Sequence, residues 1–214
     1  EIKKVLIVSI SSDRGLCGAF NINIGLQAEN FTVQNKDQFE RIGIYVFGRK
    51  ARDYLARRKV DIFKDRVDLR KVDQDLVQEI SAELIRLYLE GEFDKVYLSY
   101  THFHSPVKQI PVFEEFLPLK TEAESENVEY LYEPDRDTII ETFLPKYVST
   151  KIYYALVESQ TSEHAARMSA MENATSNCGE MVRYLNLVYN KRRQESITNE
   201  MMDIVGGAEA LRGT

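Results

Sequence analysis

Short apolar runs alternate with amphipathic stretches over the first 135 residues of the chain. Apolar runs of four to eight residues are typical of buried strands, and apolar positions repeating at three or four residues are typical of helices. The predicted strands are Lys4–Ile10, Arg41–Phe47 and residues 94–101. The predicted helices are residues 17–30, 49–59 and 73–90, the last of which Gly91 stops.

Two more strand-like runs follow, over residues 106–117 and 128–132, without a helix-forming segment between them. At least one of them must pair antiparallel, because a parallel pair needs a crossover connection. The earlier order of strand, helix, strand, helix and strand favours parallel pairing with right-handed crossovers. The predicted fold class is therefore α/β, with a Rossmann-like, mostly parallel sheet of about five strands.

The last third of the chain is nearly free of helix-breaking residues. All five prolines lie at or before Pro145, and residues 146–205 contain one glycine, Gly179. Because Pro suits the first turn of a helix and Gly its end, Pro145 and the pair at 206–207 predict the limits of one very long helix. Sixty residues at 1.5 Å each would span about 90 Å, far more than a helix of an ordinary globular core.

This predicted helix carries a heptad pattern. Its members step by four and three residues in turn: His164, Met168, Met171, Thr175, Cys178, Val182, Leu185 and Tyr189. A mean spacing of 3.5 residues is typical of a coiled-coil seam. The seam predicts a partner helix, either in another chain or in a segment ahead of Glu1. The alternative, a core helix of a globular domain, is disfavoured because the rest of the chain cannot cover such a length.

Charge narrows the choice of partners. The net charge of −6 argues against a nucleic-acid binder, because phosphates demand clustered positive charge. Residues 146–205 hold seven basic and seven acidic residues, so the predicted helix is neutral. The basic run 191–193 is interpreted either as a solvated face or as a contact with acidic groups of a partner. No apolar run approaches the roughly 20 residues that span a bilayer, and we expect no leader before the first strand.

Three features of the sequence are candidate chemical sites. Residues 11–18 follow a strand and precede a helix, where a phosphate loop would lie, but they match neither a dinucleotide-binding nor a P-loop pattern; Asp13 is predicted to cap the helix that follows. His102 and His104 share a strand face, although no carboxylate or cysteine beside them completes a metal site. Cys17 and Cys178 are predicted as buried or half-buried thiols. We therefore predict no catalytic, cofactor or metal site.

Several stretches of the chain resemble one family. EHAARM at 163–168, MENATSN at 171–177 and LVYNKRRQESITNE at 187–200 resemble the C-terminal helix of F-type ATP synthase gamma subunits. IVGGAEAL at 204–211 resembles the terminal segment of that family. SDRGLCGAFN at 12–21 resembles its first strand-turn-helix motif. The resemblance thus extends over essentially the whole chain.

The resemblance implies a rotary central-stalk subunit without a catalytic site. Such a subunit couples proton-driven rotation of a membrane ring to ATP synthesis at beta-subunit sites. It implies an α/β foot domain over residues 1–135 and, over 136–214, a long helix that is half of an antiparallel coiled coil. The family's N-terminal helix, the other half, is absent from this sequence. The implied partners are the alpha and beta subunits around the helix, and the epsilon subunit and c-ring at the foot.

The resemblance also implies a contact site and a location. Residues Arg193, Gln194 and Thr198 match a stretch that lies near an acidic loop of the beta subunit. No plastid-type regulatory insertion with paired cysteines is present, so we expect a bacterial protein, peripheral on the cytoplasmic face of the plasma membrane. Two other function classes stay open at this point: a coiled-coil adaptor with an α/β domain, and a nucleotide-binding α/β enzyme.

Overall fold

The computed structural model describes residues 2–69, 71–119 and 135–212. The strands in those ranges are β1 (Lys4–Ile10), β2 (Arg41–Phe47), β3 (Lys64–Arg66), β4 (Lys95–Phe103) and β5 (Gln109–Leu117). The helices are α1 (Phe20–Gln34), α2 (Arg49–Arg57), α3 (Gln74–Leu89) and α4 (Arg136–Arg212).

The strands form one sheet in the order β3-β2-β1-β4-β5. Strands β3, β2, β1 and β4 run parallel to one another, and β5 pairs antiparallel with β4. The predicted α/β class, with a mostly parallel sheet of five strands and one long C-terminal helix, is confirmed. One strand differs: β3 was not predicted, because Lys-Asp-Arg carries no apolar signal. The predicted run 128–132 lies outside the described residues.

Both faces of the sheet are covered, which explains why its central strands are continuously apolar. Along β1, Leu6, Val8 and Ile10 face a core that α3 and the first part of α4 complete. Ile7 faces the opposite way, into a smaller core with β2, α1 and α2. The alternation follows from the two-residue period of a strand.

Helix α4 begins earlier than predicted. Asp135 is its cap: one carboxylate oxygen accepts the Thr138 amide at 2.9 Å and the other accepts the Thr138 hydroxyl at 2.7 Å. These bonds lower the pKa of Asp135. The predicted start at Pro145 is wrong, because the cap lies upstream and Pro145 is an exposed residue inside the helix. The predicted stop at 206–207 is also wrong, since glycine permits a helix end without imposing one and α4 continues to Arg212.

The chain divides into two units, Glu1–Ala170 and Met171–Thr214. The first holds the sheet, its helices and the first part of α4. The second is the remainder of α4. The division into domains at residues 135 and 136 stays a prediction.

Candidate functional site

One stripe of α4 in the first unit is buried against the sheet. Its members are Val148, Ile152, Ala155, Ser159 and Ser162, each at most 3% exposed. They step by four and three residues in turn, so they share one face of the helix. The apolar members join the core formed by β1, β4 and α3. This part of α4 is therefore an integral layer of the α/β unit.

Polar groups flank that stripe. The Glu158 carboxylate accepts the Phe103 amide at 2.7 Å and lies 3.0 Å from Nδ1 of His102. The Tyr154 hydroxyl is 3.2 Å from the same nitrogen. His102 thus holds α4 against β4. Over the described ranges, no group of three or more His, Cys, Asp or Glu residues is arranged to bind a metal ion.

The loop after β1 contains Asp13, which caps a different helix from the predicted one. Asp13 accepts the Arg49 amide and the Leu69 amide, each at 2.9 Å. It therefore caps α2, and the prediction that it caps the helix following it is wrong: Ala19 precedes α1 and makes no side-chain cap. The next amides of α2 are also occupied. Lys50 donates to the Ser12 carbonyl at 3.0 Å and Ala51 to the Ser11 hydroxyl at 3.2 Å.

This loop lies at the carboxyl end of β1, where the chain connections turn to opposite sides of the sheet. In open α/β sheets that crevice is the usual ligand site. Here a cavity of about 40 Å³ remains, and Ser159, Gln160 and Glu163 of α4 form one wall of it. Asp13 and Glu163 also line the crevice. Their carboxylates are already bound, Asp13 by the Arg49 and Leu69 amides and Glu163 by Arg167.

A second stripe on α4 consists of partly exposed side chains. Ile140, Phe143, Tyr147 and Tyr154 are exposed large side chains within the first unit. They belong to the same heptad series as His164 and Met168, which is offset from the buried stripe by one or two positions, about 100–200° around the helix. This part of α4 therefore has one buried stripe and one partly exposed stripe.

In the second unit, every described residue of α4 is exposed. Its seam residues Met171, Val182, Leu185 and Tyr189 are 45% to 65% exposed. Cys178 is exposed too, so the prediction of a half-buried thiol is wrong for it, because none of the described residues covers the seam. Other large apolar side chains lie on the remaining faces: Met181, Tyr184, Leu187, Ile197, Met201, Met202 and Ile204.

The predicted contact residues lie on this second unit. Arg193, Gln194 and Thr198 are exposed and share one broad face of α4. Lys191 and Arg192 both pair with Glu195, at 3.9 Å and 3.5 Å. Within the described part of the chain, the Arg193 side chain has no hydrogen bond or ion pair. Its guanidinium is therefore available to a partner.

Comparison with known proteins identifies the family. A family model described as ATP synthase matches residues 1–211. An ATP synthase gamma chain from Anaeromyxobacter sp. is 42% identical over 210 residues, covering 96% of this chain and 72% of the relative. One from Syntrophobacter fumaroxidans is 43% identical over 218 residues, covering 99% and 75%. The chain belongs to the ATP synthase gamma chain family.

Solved structures agree with that family. In the mitochondrial ATP synthase central stalk and c-ring of Tetrahymena thermophila, one chain matches with a TM-score of 0.66 at 27% identity, covering 82% of this chain and 78% of that one. A chain of the Euglena gracilis OSCP/F1/c-ring structure matches with a TM-score of 0.75 at 20% identity, covering 98% and 73%. The second likeness concerns the fold alone. Membership of the gamma family, predicted from the motifs, is confirmed.

The sequence predictions missed two buried serines of this chain. Ser159 and Ser162 continue the stripe of Val148, Ile152 and Ala155 with unbroken heptad spacing, but as polar residues they give no apolar signal. The spacing itself was the signal that would have found them. Among the described residues, no helix is long and apolar enough to cross a bilayer.

Proposed function

We propose that this chain is the rotary central-stalk subunit of an ATP synthase, coupling rotation of a membrane ring to ATP synthesis at beta-subunit sites. The observation that carries the proposal is the second unit, residues 171–212, whose large apolar side chains lie on all faces of α4 and are all exposed. Large exposed apolar side chains on several faces of one helix are typical of contact with more than one partner surface. A sleeve of surrounding subunits provides that contact, whereas a single partner helix covers one stripe.

The charge of the helix fits a part that turns inside its sleeve. Residues 146–205 carry equal numbers of basic and acidic residues, so no net charge fixes the helix at one angle. The seam includes Thr175 and Cys178 in place of larger apolar residues. Burial stabilises by roughly 25 cal/mol per Å², so smaller side chains bury less area and resist rotation less.

The chain itself is non-catalytic in this proposal. The α/β crevice that would receive a nucleotide is closed by α4 and lined by Asp13 and Glu163. The chemistry then belongs to the surrounding subunits, and the chain contributes movement. The proposed partners are the alpha and beta subunits around α4, a second helix along the seam in an antiparallel coiled coil, and epsilon and the c-ring at the α/β unit. The proposed location is the cytoplasmic face of a bacterial plasma membrane.

The central test is rotation. The full-length gamma gene replaces the native one in a bacterial ATP synthase, a bead is fixed to the rotor, and ATP is added. We expect stepwise rotation and ATP-driven proton pumping in vesicles. An adaptor would give a complex containing alpha and beta subunits whose ATP hydrolysis continues without any rotation of this chain, and that outcome would overturn the proposal.

Within this function, we propose that Arg193, Gln194 and Thr198 contact an acidic loop of the beta subunit. A contact that rotation makes and breaks must be weak, and a partly exposed ion pair contributes about 0–1 kcal/mol. We expect Arg193→Ala with Gln194→Ala to lower ATP turnover of the assembled complex by up to about fivefold, without loss of assembly.

The matched control for this contact is Arg192→Ala. Arg192 is the neighbouring cation, and its ion pair with Glu195 lies within the helix. It should leave turnover near the wild-type value. Wild-type turnover in the Arg193/Gln194 double variant would exclude the contact and leave the rotary proposal intact.

A further inference from the structure

The two central strands stop pairing at the place where α4 crosses them. The parallel ladder of β1 and β4 ends with Ser9 opposite Ser99. Beyond it, the Thr101 amide donates to the Ser159 hydroxyl at 3.4 Å, and that hydroxyl donates to the Ile10 carbonyl at 3.2 Å. The Ser159 side chain thus joins β1 to β4 where direct strand pairing has ended.

Neighbouring side chains of α4 occupy more of the β4 backbone. The Ser162 hydroxyl donates to the Thr101 carbonyl at 3.2 Å. Glu158 accepts the Phe103 amide at 2.7 Å. Ser159 and Ser162 are 2% and 0% exposed, so water does not compete for these bonds.

A further contact lies two turns along the helix. Arg167 donates from Nε to the Gly15 carbonyl at 3.3 Å, in the loop after β1. Nη2 of the same guanidinium donates to a Glu163 carboxylate oxygen at 2.5 Å. We call Glu158, Ser159, Ser162 and Arg167 the clasp. It ties a ten-residue stretch of α4 to the carboxyl ends of both central strands and to the loop after β1.

Apolar packing and the clasp resist different movements. Burial of apolar area is non-directional, so a helix can turn or slide slightly on an apolar surface at little cost. Hydrogen bonds weaken steeply when their angle changes. The buried stripe therefore holds α4 on the sheet, and the clasp fixes the angle and height at which it lies.

We propose that the clasp residues are the positioning residues that carry torque between the α/β unit and α4. The proposal rests on the proposed rotary function. Without the clasp, α4 stays packed but its rotational angle relative to the sheet is less sharply defined. The rotor then becomes torsionally softer, and strain relaxes inside this subunit before it reaches the catalytic sites.

The test uses Ser159→Ala with Ser162→Ala in full-length gamma, in the assembled and membrane-reconstituted enzyme. Torsional stiffness is read from the angular fluctuations of a bead fixed to the rotor while the alpha and beta subunits are held. We expect at least about twofold larger angular variance, since directional bonds are lost and the packing remains. Amide exchange at Thr101 should accelerate about tenfold, because that amide loses its acceptor.

The matched control is Ser81→Ala. Ser81 is also 2% exposed, and its hydroxyl donates within α3 to the Val77 carbonyl at 2.6 Å. The control thus removes a buried hydroxyl from the same unit without changing a residue of α4 or a hydrogen bond of the clasp. Equal stiffness in the clasp and control variants would overturn the proposal. If the double variant fails to assemble, Glu158→Gln and single Ser162→Ala are measured in the same way. A wild-type enzyme that does not rotate would refute the proposed function instead.

Discussion

Two stretches of α4 share one spacing and differ completely in burial. Val148, Ile152, Ala155, Ser159 and Ser162 step by four and three residues and are buried. The seam from Met171 to Tyr189 steps in the same way and is exposed. The difference teaches that a heptad pattern specifies a face to be covered, while the covering surface comes from elsewhere. In the first stretch it is the sheet of the same chain, and in the second we propose other helices and subunits.

The largest expected effect is in amide exchange of the isolated chain. Helical stability comes mostly from packing, so amides near the buried stripe should exchange only with opening of the α/β unit. Those over residues 171–189 should exchange at least about a thousandfold faster. Hydrogen exchange with mass spectrometry on a proven monomer measures both. Equal protection would mean that the second stretch does not need a partner.

Truncating one leucine in each stretch of α4 should change the free energy of unfolding by very different amounts. Leu156 is 4% exposed in the core of the α/β unit, so Leu156→Ala should lower the free energy of unfolding by about 2–5 kcal/mol. Leu185→Ala removes the same atoms from an exposed position and should change it by less than about 0.5 kcal/mol. Urea unfolding of both variants decides the point. In the assembled enzyme the difference in stability between the two variants should narrow, because we propose that other subunits cover Leu185 there.

The reactivity of the two cysteines should show the same difference in burial between the α/β unit and the exposed part of α4. Cys17 is 2% exposed and burial raises the pKa of its thiol, whereas Cys178 is exposed. Iodoacetamide should alkylate Cys178 about a hundredfold faster than Cys17 in the native chain, because burial of Cys17 reduces both reagent access and its thiolate fraction. Peptide mapping after short exposures gives the ratio. Denatured chain is the control, and a ratio far from one there would show that intrinsic reactivity, not burial, sets the difference.

The smallest effect concerns acid stability of the α/β unit. The Asp94 carboxylate accepts the Lys3 and Lys4 amides at 2.7 Å and 2.8 Å, and these bonds lower its pKa. Since the folded pKa is below the unfolded value of about 3.9, the stabilisation is complete above that pH and is lost as pH falls through the folded pKa.

Asp94→Asn should therefore remove part of the acid dependence of unfolding. The site is partly solvated, so the effect should be below about 1 kcal/mol. Thermal melts between pH 3 and 7 test this, with Asp37→Asn, at an exposed position between α1 and β2, as the control. An unchanged acid profile in Asp94→Asn would contradict the assigned role.

The elements that the sequence predicted are those with a local signal. Strands β1 and β2 are apolar runs, and α3 has regular apolar spacing. Strand β3 has no such signal, because Lys64–Arg66 is a strand only through pairing with β2. Asp13 was predicted to cap the helix that follows it in the chain, whereas the amides it accepts come from residues 36 and 56 positions away.

By itself the sequence determined the α/β class, the existence of a very long helix with a heptad seam, and the family. Each of these is set by patterns that repeat along the chain or by motifs of adjacent residues. Only the tertiary structure decided which face of α4 meets the sheet, that Ser159 joins β1 to β4, and that the crevice at their carboxyl ends is closed. Those features depend on contacts such as Ile10 with Ser159, 149 residues apart, which no local pattern encodes.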